Sequence, residues 1–137
     1  MPPTYQTSRR VEFADTDMAG IMHFARFFSF MEEAEHEMLR SRGLSVIMQH
    51  EGKKYGFPRV AAQCEFSKPL RFEEVVDIHV TLSRIGAKAL TFSCEFKRGG
   101  EVLARGSITT CCCLVGPEGM KATPIPEFFR ERLTSGS

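Results

Sequence analysis

No run of apolar residues in the chain is long enough to span a bilayer, and the opening MPPTYQTSRR lacks the apolar core of a signal peptide. The expectation is a cytoplasmic protein without a transmembrane segment. Charge imbalance is missing as well. The 18 Lys and Arg residues against 17 Asp and Glu leave a net +1, too little for a global field that recruits nucleic acid. There is no CxxC spacing for zinc, no HExxH helix, no GxxxxGK[ST] loop and no GxSxG elbow. A metal site, a nucleotide triphosphatase and the commonest hydrolase types are thereby excluded from the expectations. Five cysteines are present, and Cys111, Cys112 and Cys113 are consecutive within an apolar run. Neighbours on a strand point to opposite faces, so these read as small buried hydrophobes in a reducing compartment.

What the sequence does contain is periodicity. Its 137 residues suit a single domain over 1–137, with no linker, low-complexity tract or internal repeat. From Ala25 to Arg42, Phe27, Met31, Ala34 and Met38 recur at helical spacing, with Phe28, Phe30 and Leu39 widening the stripe. Glu32, Glu33, Glu35, Glu37 and Arg40 fill the polar remainder, and Gly43 is the stop signal. After Pro58 the period becomes two, the mark of strands with one buried face. Val60, Ala62, Cys64 and Phe66 form one such set, Val76, Ile78, Val80 and Leu82 a second, and Leu90, Phe92, Cys94 and Phe96 a third. Gly99-Gly100 is a turn leading to a strand from about Glu101 to Val115, and an earlier strand is expected from Gln6 to about Ala14. A short helix follows Pro126, offering Phe128, Phe129 and Leu133 for packing. One strongly apolar helix and a sheet with one alternating face satisfy each other when the antiparallel sheet wraps around the helix, which makes the fold α+β.

The chemistry concentrates at FADTDMAGIMHF. Asp15 and Asp17 sit where a strand gives way to a helix, whose first backbone N–H groups lack internal partners. Gly20 permits close backbone approach, so one junction presents a carboxylate and free amide donors to a bound carbonyl. A thioester leaves as a thiolate whose conjugate acid titrates near ~8.5, so its hydrolysis needs no dedicated general acid.

The stretch FADTDMAGIMHFARFFSFMEEA resembles the D-x-D-x-x-G junction and following helix of the 4-hydroxybenzoyl-CoA thioesterase family of hot-dog fold proteins, including the Tol-Pal-associated acyl-CoA thioesterases. The similarity runs in pattern from about residue 6 to 133. It implies a hot-dog fold and hydrolysis of acyl-CoA, with Asp17 as the catalytic carboxylate, acting as nucleophile or as general base. Gly20 matches the motif glycine, Asp15 a supporting turn residue, and the backbone N–H of Phe24 or a neighbour the donor to the thioester carbonyl. Lys88 aligns with a family lysine that binds CoA phosphate, and Arg84 lies in the same turn. Phe27, Phe28 and Met31 are candidates for the acyl pocket. Two departures stand out: the family histidine usual at position 24 appears here as His23, and Phe13 replaces a tyrosine. A related subfamily places its catalytic glutamate on the central helix, which makes Glu32, Glu33 and Glu37 candidates for a second carboxylate. The resemblance further implies a homodimer as the minimal active unit, a homotetramer by extension, and no cofactor, since CoA belongs to the substrate. Alternatives carried alongside are a non-catalytic binder of acyl-CoA or acyl carrier protein, a hot-dog enoyl-CoA hydratase using His23 with the aspartate, and a structural dimerisation module.

Overall fold

The chain, described here over residues 2–135 by a computed structural model, begins with strand β1 (Thr4–Arg10) and a 3-10 turn at Phe13–Asp15. Helix α1 follows at Phe24–Ser41. Strands β2 (Ile47–His50), β3 (Lys53–Gly56) and β4 (Arg59–Phe66) come next. Then come β5 (Val75–Ile85), β6 (Ala89–Arg98) and β7 (Glu101–Cys111). Strands β8 (Cys113–Gly116) and β9 (Gly119–Ala122) precede the closing helix α2 (Glu127–Thr134). Five strands form an antiparallel sheet in the order β1-β5-β6-β7-β4, and four short ones form a second, β2-β3-β8-β9.

Helix α1 packs on β1, β5, β7 and β4. Its stripe of Phe27, Phe30, Met31, Ala34, Met38 and Leu39 is buried, at roughly 1.5–3 kcal/mol for each large side chain removed from water. Gly106 on β7 makes the approach possible, because a Cβ there would lie 2.6 Å from Met31 Sδ. The helix stops at Gly43, φ 72°, where the Leu44 N–H donates back to the Leu39 carbonyl at 2.8 Å. Val76, Ile78, Val80 and Leu82 of β5 and Leu90, Phe92, Cys94 and Phe96 of β6 are buried beneath it, as their period of two requires. Gly99 and Gly100, both at positive φ, close the hairpin from β6 to β7. Phe129 and Leu133 of α2 are buried and Phe128 partly so.

Several expectations are corrected. The first strand ends at Arg10 rather than near Ala14, because the Glu12 N–H donates to the Asp15 carboxylate and bends the chain into the 3-10 turn. The strand drawn from Glu101 to Val115 breaks at Cys112, whose N–H goes to the Lys88 carbonyl, and its remainder joins the second sheet. Strands β2, β3 and β9 were not expected. Strand β4 lacks the buried face its alternation suggested: it is a sheet edge with Val60 62% and Phe66 46% exposed. Glu35, assigned to the polar helix face, is 1% exposed and meets the Arg59 guanidinium at 2.6 Å. Of the cysteines, Cys94, Cys112 and Cys113 are buried, whereas Cys64 and Cys111 are half-buried. All five are free thiols, and burial raises Cys64 to about 11, Cys94 to about 12 and Cys112 to about 11.

Candidate active site

The segment between the 3-10 turn and α1 is a tight loop closed by backbone pairing. Thr16 and Met22 form an isolated antiparallel bridge, the Asp17 N–H donates to the Ile21 carbonyl at 3.0 Å, and the Gly20 N–H donates to the Asp17 carbonyl at 2.9 Å. Gly20 has φ 80°, a conformation that favours glycine, with open space where a Cβ would stand. Asp17 Oδ1 accepts the Ala19 N–H at 2.9 Å, while Oδ2 lies 3.6 Å from His23 Nδ1. One carboxylate oxygen is therefore held and the other faces outward, beside a histidine slightly beyond hydrogen-bond range.

Helix α1 opens without a side-chain cap at His23. The His23 N–H is engaged by the Asp15 carbonyl at 2.9 Å, and the Arg26 N–H by the His23 carbonyl at 2.9 Å. Among the described residues the amides of Phe24 and Ala25 have no acceptor, and they lie at the positive end of the helix dipole. That elimination puts Phe24 and Ala25 ahead of His23 as donors to a substrate carbonyl.

A cavity of about 430 Å³ opens beside Asp17 and Phe24, lined further by Ile21, Met22, Phe27, Phe66 and Pro69. Phe27 and Phe66 meet edge to face, centroids 4.9 Å apart. A second hollow of about 490 Å³ lies on the other side of Asp17, against Phe13, Met18 and Phe72, with Phe13 and Phe72 also edge to face at 5.9 Å. The carboxylate thus stands between two largely apolar spaces.

The site gathers Asp17, Gly20, His23, Phe24 and Phe27 from the expected residues. It does not gather the others. Met31 is fully buried against Gly106 and Phe28 packs against the core. Glu33 and Glu37 are paired with Arg9, and Glu32 lies 3.5 Å from Arg59. Lys88 and Arg84 lie at the far end of the sheet within one chain. Phe66 and Phe96 face the same β7 residue, Ala104, and the eight steps from Lys88 to Phe96 extend about 26 Å along the strand. Residues 66–69, which wall the cavity, and Arg26, which anchors the loop, were not anticipated. The former are brought in by the Met22 N–H donating to the Leu70 carbonyl at 2.7 Å, a contact with no local sequence signal.

Comparison with known proteins places this geometry. The thioesterase-like superfamily matches residues 11–133, and the chain belongs to it. The class so defined is that of thioester hydrolases. A protein of Aquifex aeolicus named for esterase activity is 37% identical over 136 residues, covering 97% of this chain and 98% of that one. A 1,4-dihydroxy-2-naphthoyl-CoA hydrolase of Synechocystis is 30% identical over 128 residues, 90% of each chain. Among solved structures, a gentisyl-coenzyme A thioesterase aligns with a TM-score of 0.80 at 29% identity, covering 95% of this chain and 100% of the other. The shared architecture is the hot-dog thioesterase fold, an antiparallel sheet with two helices. No helix among the described residues is long and apolar enough to cross a membrane.

Proposed function

We propose that this chain hydrolyses an acyl-CoA thioester, with Asp17 carrying the chemistry and the free amides of Phe24 and Ala25 polarising the carbonyl. One observation carries the reading: a carboxylate with one oxygen free of hydrogen bonds stands at the same largely apolar cavity as Phe24, whose amide, like that of Ala25 beside it, has no acceptor among the described residues. The acyl group enters the Phe27–Phe66 cavity. The thiol arm leaves past Phe13, Met18 and Phe72 on the opposite side of Asp17. An aromatic acyl group suits walls built from edge-to-face phenylalanines, and the names of the naphthoyl-CoA and gentisyl-CoA relatives lie in the same direction.

Two routes are open to Asp17. Its carboxylate attacks the carbonyl carbon, the C–S bond breaks, CoA departs as thiolate, and water then cleaves the mixed anhydride. Alternatively, Asp17 takes a proton from water as that water attacks, and the thiolate leaves when the tetrahedral intermediate collapses. Both routes use side chain, amide and water, and CoA enters as part of the substrate rather than as a cofactor. A single turnover in 18O-labelled water identifies the anhydride route when label appears within the Asp17 carboxylate, because water activated by a general base leaves its oxygen only in the product acid.

A second copy completes the site in this reading. Strand β4 is an unpaired edge carrying exposed Val60 and Phe66, and Phe66 also walls the cavity. Antiparallel pairing of two copies along β4 would bring the Lys88 end of one chain toward the Asp17 end of the other. That gives the CoA phosphates a lysine which one chain alone holds too far away. A homodimer is thus the smallest complete unit, and a tetramer is compatible with it. The hydratase alternative draws on the 3.6 Å approach of His23 to Asp17. Water addition to an enoyl-CoA without thiol release would favour it, and thiol release without hydration would remove it.

A further inference from the structure

Asp15 lies two residues before Asp17, yet its surroundings are opposite in kind. It is 5% exposed, and both carboxylate oxygens are occupied. Oδ1 accepts from Arg26 Nε at 2.8 Å, and Oδ2 accepts the Glu12 N–H at 2.8 Å. Its carbonyl accepts the His23 N–H at 2.9 Å. One residue therefore ties together the 3-10 turn, the start of the loop, and the residue that caps α1. Arg26 is itself held in place: its guanidinium stands over the Phe30 ring, 5.7 Å from the centroid, and its Nη1 reaches Ser29 Oγ at 3.4 Å. Phe30 belongs to the core stripe of α1, so the far end of the pair is seated on a buried side chain.

We propose that Asp15 and Arg26 form a positioning pair for hydrolysis, setting the separation between the Asp17 carboxylate and the Phe24 and Ala25 amides. Arg26 also balances the charge of Asp15. This rests on the reading of Asp17 as the hydrolytic carboxylate. Two physical arguments meet here. Asp17 and the amides belong to different elements, the loop and the helix, and displacement by about 1 Å between reacting groups costs up to ~100-fold in rate. A buried carboxylate without its cation would, in addition, oppose the negative charge that develops on the carbonyl oxygen at those amides. The charged side chain in contact with Asp15 is that of Arg26 on the helix; Glu12 meets it through its backbone N–H, and His23, whose N–H is bound by the Asp15 carbonyl, turns its ring toward Asp17. Arg26 alone among them is held to its carboxylate by a hydrogen bond between side chains.

The test compares Arg26→Met, Asp15→Asn/Arg26→Met and Asp17→Asn with wild type, using CoA thioesters and measuring kcat and KM separately. Arg26→Met strands the buried carboxylate, and the expected result is a fall in kcat of about 10- to 100-fold with KM within about threefold. The double variant carries no stranded charge, so it should recover about tenfold in kcat over Arg26→Met. A folded Arg26→Met with kcat within about threefold of wild type overturns the proposal, and so does a double variant no faster than the single one. If Arg26→Met does not fold, Arg26→Lys serves: it keeps the charge but not the Nε hydrogen bond. A several-fold loss of kcat at unchanged KM supports the pair, and an unaltered kcat overturns it. Activity lost in Asp17→Asn but kept in the Arg26 variants removes this inference alone. A wild-type chain with no thioester turnover removes the reading beneath it as well.

Discussion

Asp17 and Glu35 divide the work of the two notable carboxylates, one facing the cavity and one turned into the core. Glu35 donates nothing to the site; its Oε1 accepts from Arg59 at 2.6 Å, and among the described residues its Oε2 has no partner. Burial pushes its pKa up, Arg59 opposes, Glu32 adds to the rise, and the result is about 7 against 4.5 for the exposed group. The folded chain therefore holds a proton that the unfolded chain has lost between those two pH values. Stability falls as pH rises from about 4.5 to about 7 and levels off above, by roughly 1–3 kcal/mol. Thermal unfolding across that range, wild type beside Glu35→Gln, should show a Tm that declines in wild type and a flatter course in the variant. Parallel curves would refute the assignment. Glu35 was legible in principle. It stands four residues after Met31 and three before Met38, on the buried stripe, but its glutamate neighbours made the polar face the natural place for it. The placing of Asp17 and Gly20 in one tight loop before α1 could be read directly, because it depends on adjacency along the chain.

At the scale of elements, the proposed mechanism assigns the oxyanion chemistry to the uncapped start of α1. Proline is tolerated at the first helical position, and His23 before it already has the extended backbone that a following proline requires, with φ −63° and ψ 137°. Phe24→Pro thus deletes the N–H with the helix retained, and the expected loss in kcat is about 100- to 1,000-fold. Phe24→Ala, which keeps the N–H, should lose far less, and equal losses in the two variants would show that the ring matters rather than the amide. The far ends of the helices guard each other. Arg42 after α1 donates to the carbonyls of Arg132 and Leu133 at 3.1 Å and of Ser135 at 2.8 Å, while Arg132 on α2 donates to the Gly43 carbonyl at 3.0 Å. Arg42→Ala should lower stability by about 1–3 kcal/mol, read as a drop in Tm without a change in KM. Elements with one clean period, α1, β5 and β6, followed from sequence because packing against a single core dictates them. The break at Cys112 and the strands β2, β3 and β9 did not, because a hydrogen bond from a distant turn ends the one, and short exposed strands carry no hydrophobic period.

For the whole molecule, the proposed reading makes the site half of something larger. Strand β4 obeys the alternation of a buried strand yet lies exposed in one chain, and sequence reports that such a face is apolar without reporting what covers it. Val60 is 62% exposed on that edge and does not line the cavity beside Asp17. Val60→Lys should shift a dimeric or tetrameric wild type toward monomer in light scattering, with hydrolysis falling in step; a monomeric wild type with full activity would reject a shared site. The central claim, hydrolysis at Asp17, is tested most directly by following free thiol release from a panel of aromatic and aliphatic acyl-CoA esters with wild type and Asp17→Asn side by side. The expected result is turnover strongest on aromatic esters and reduced by about 100- to 10,000-fold in the variant. A folded wild-type chain that releases no thiol from any ester, or an Asp17→Asn variant as fast as wild type, would contradict it.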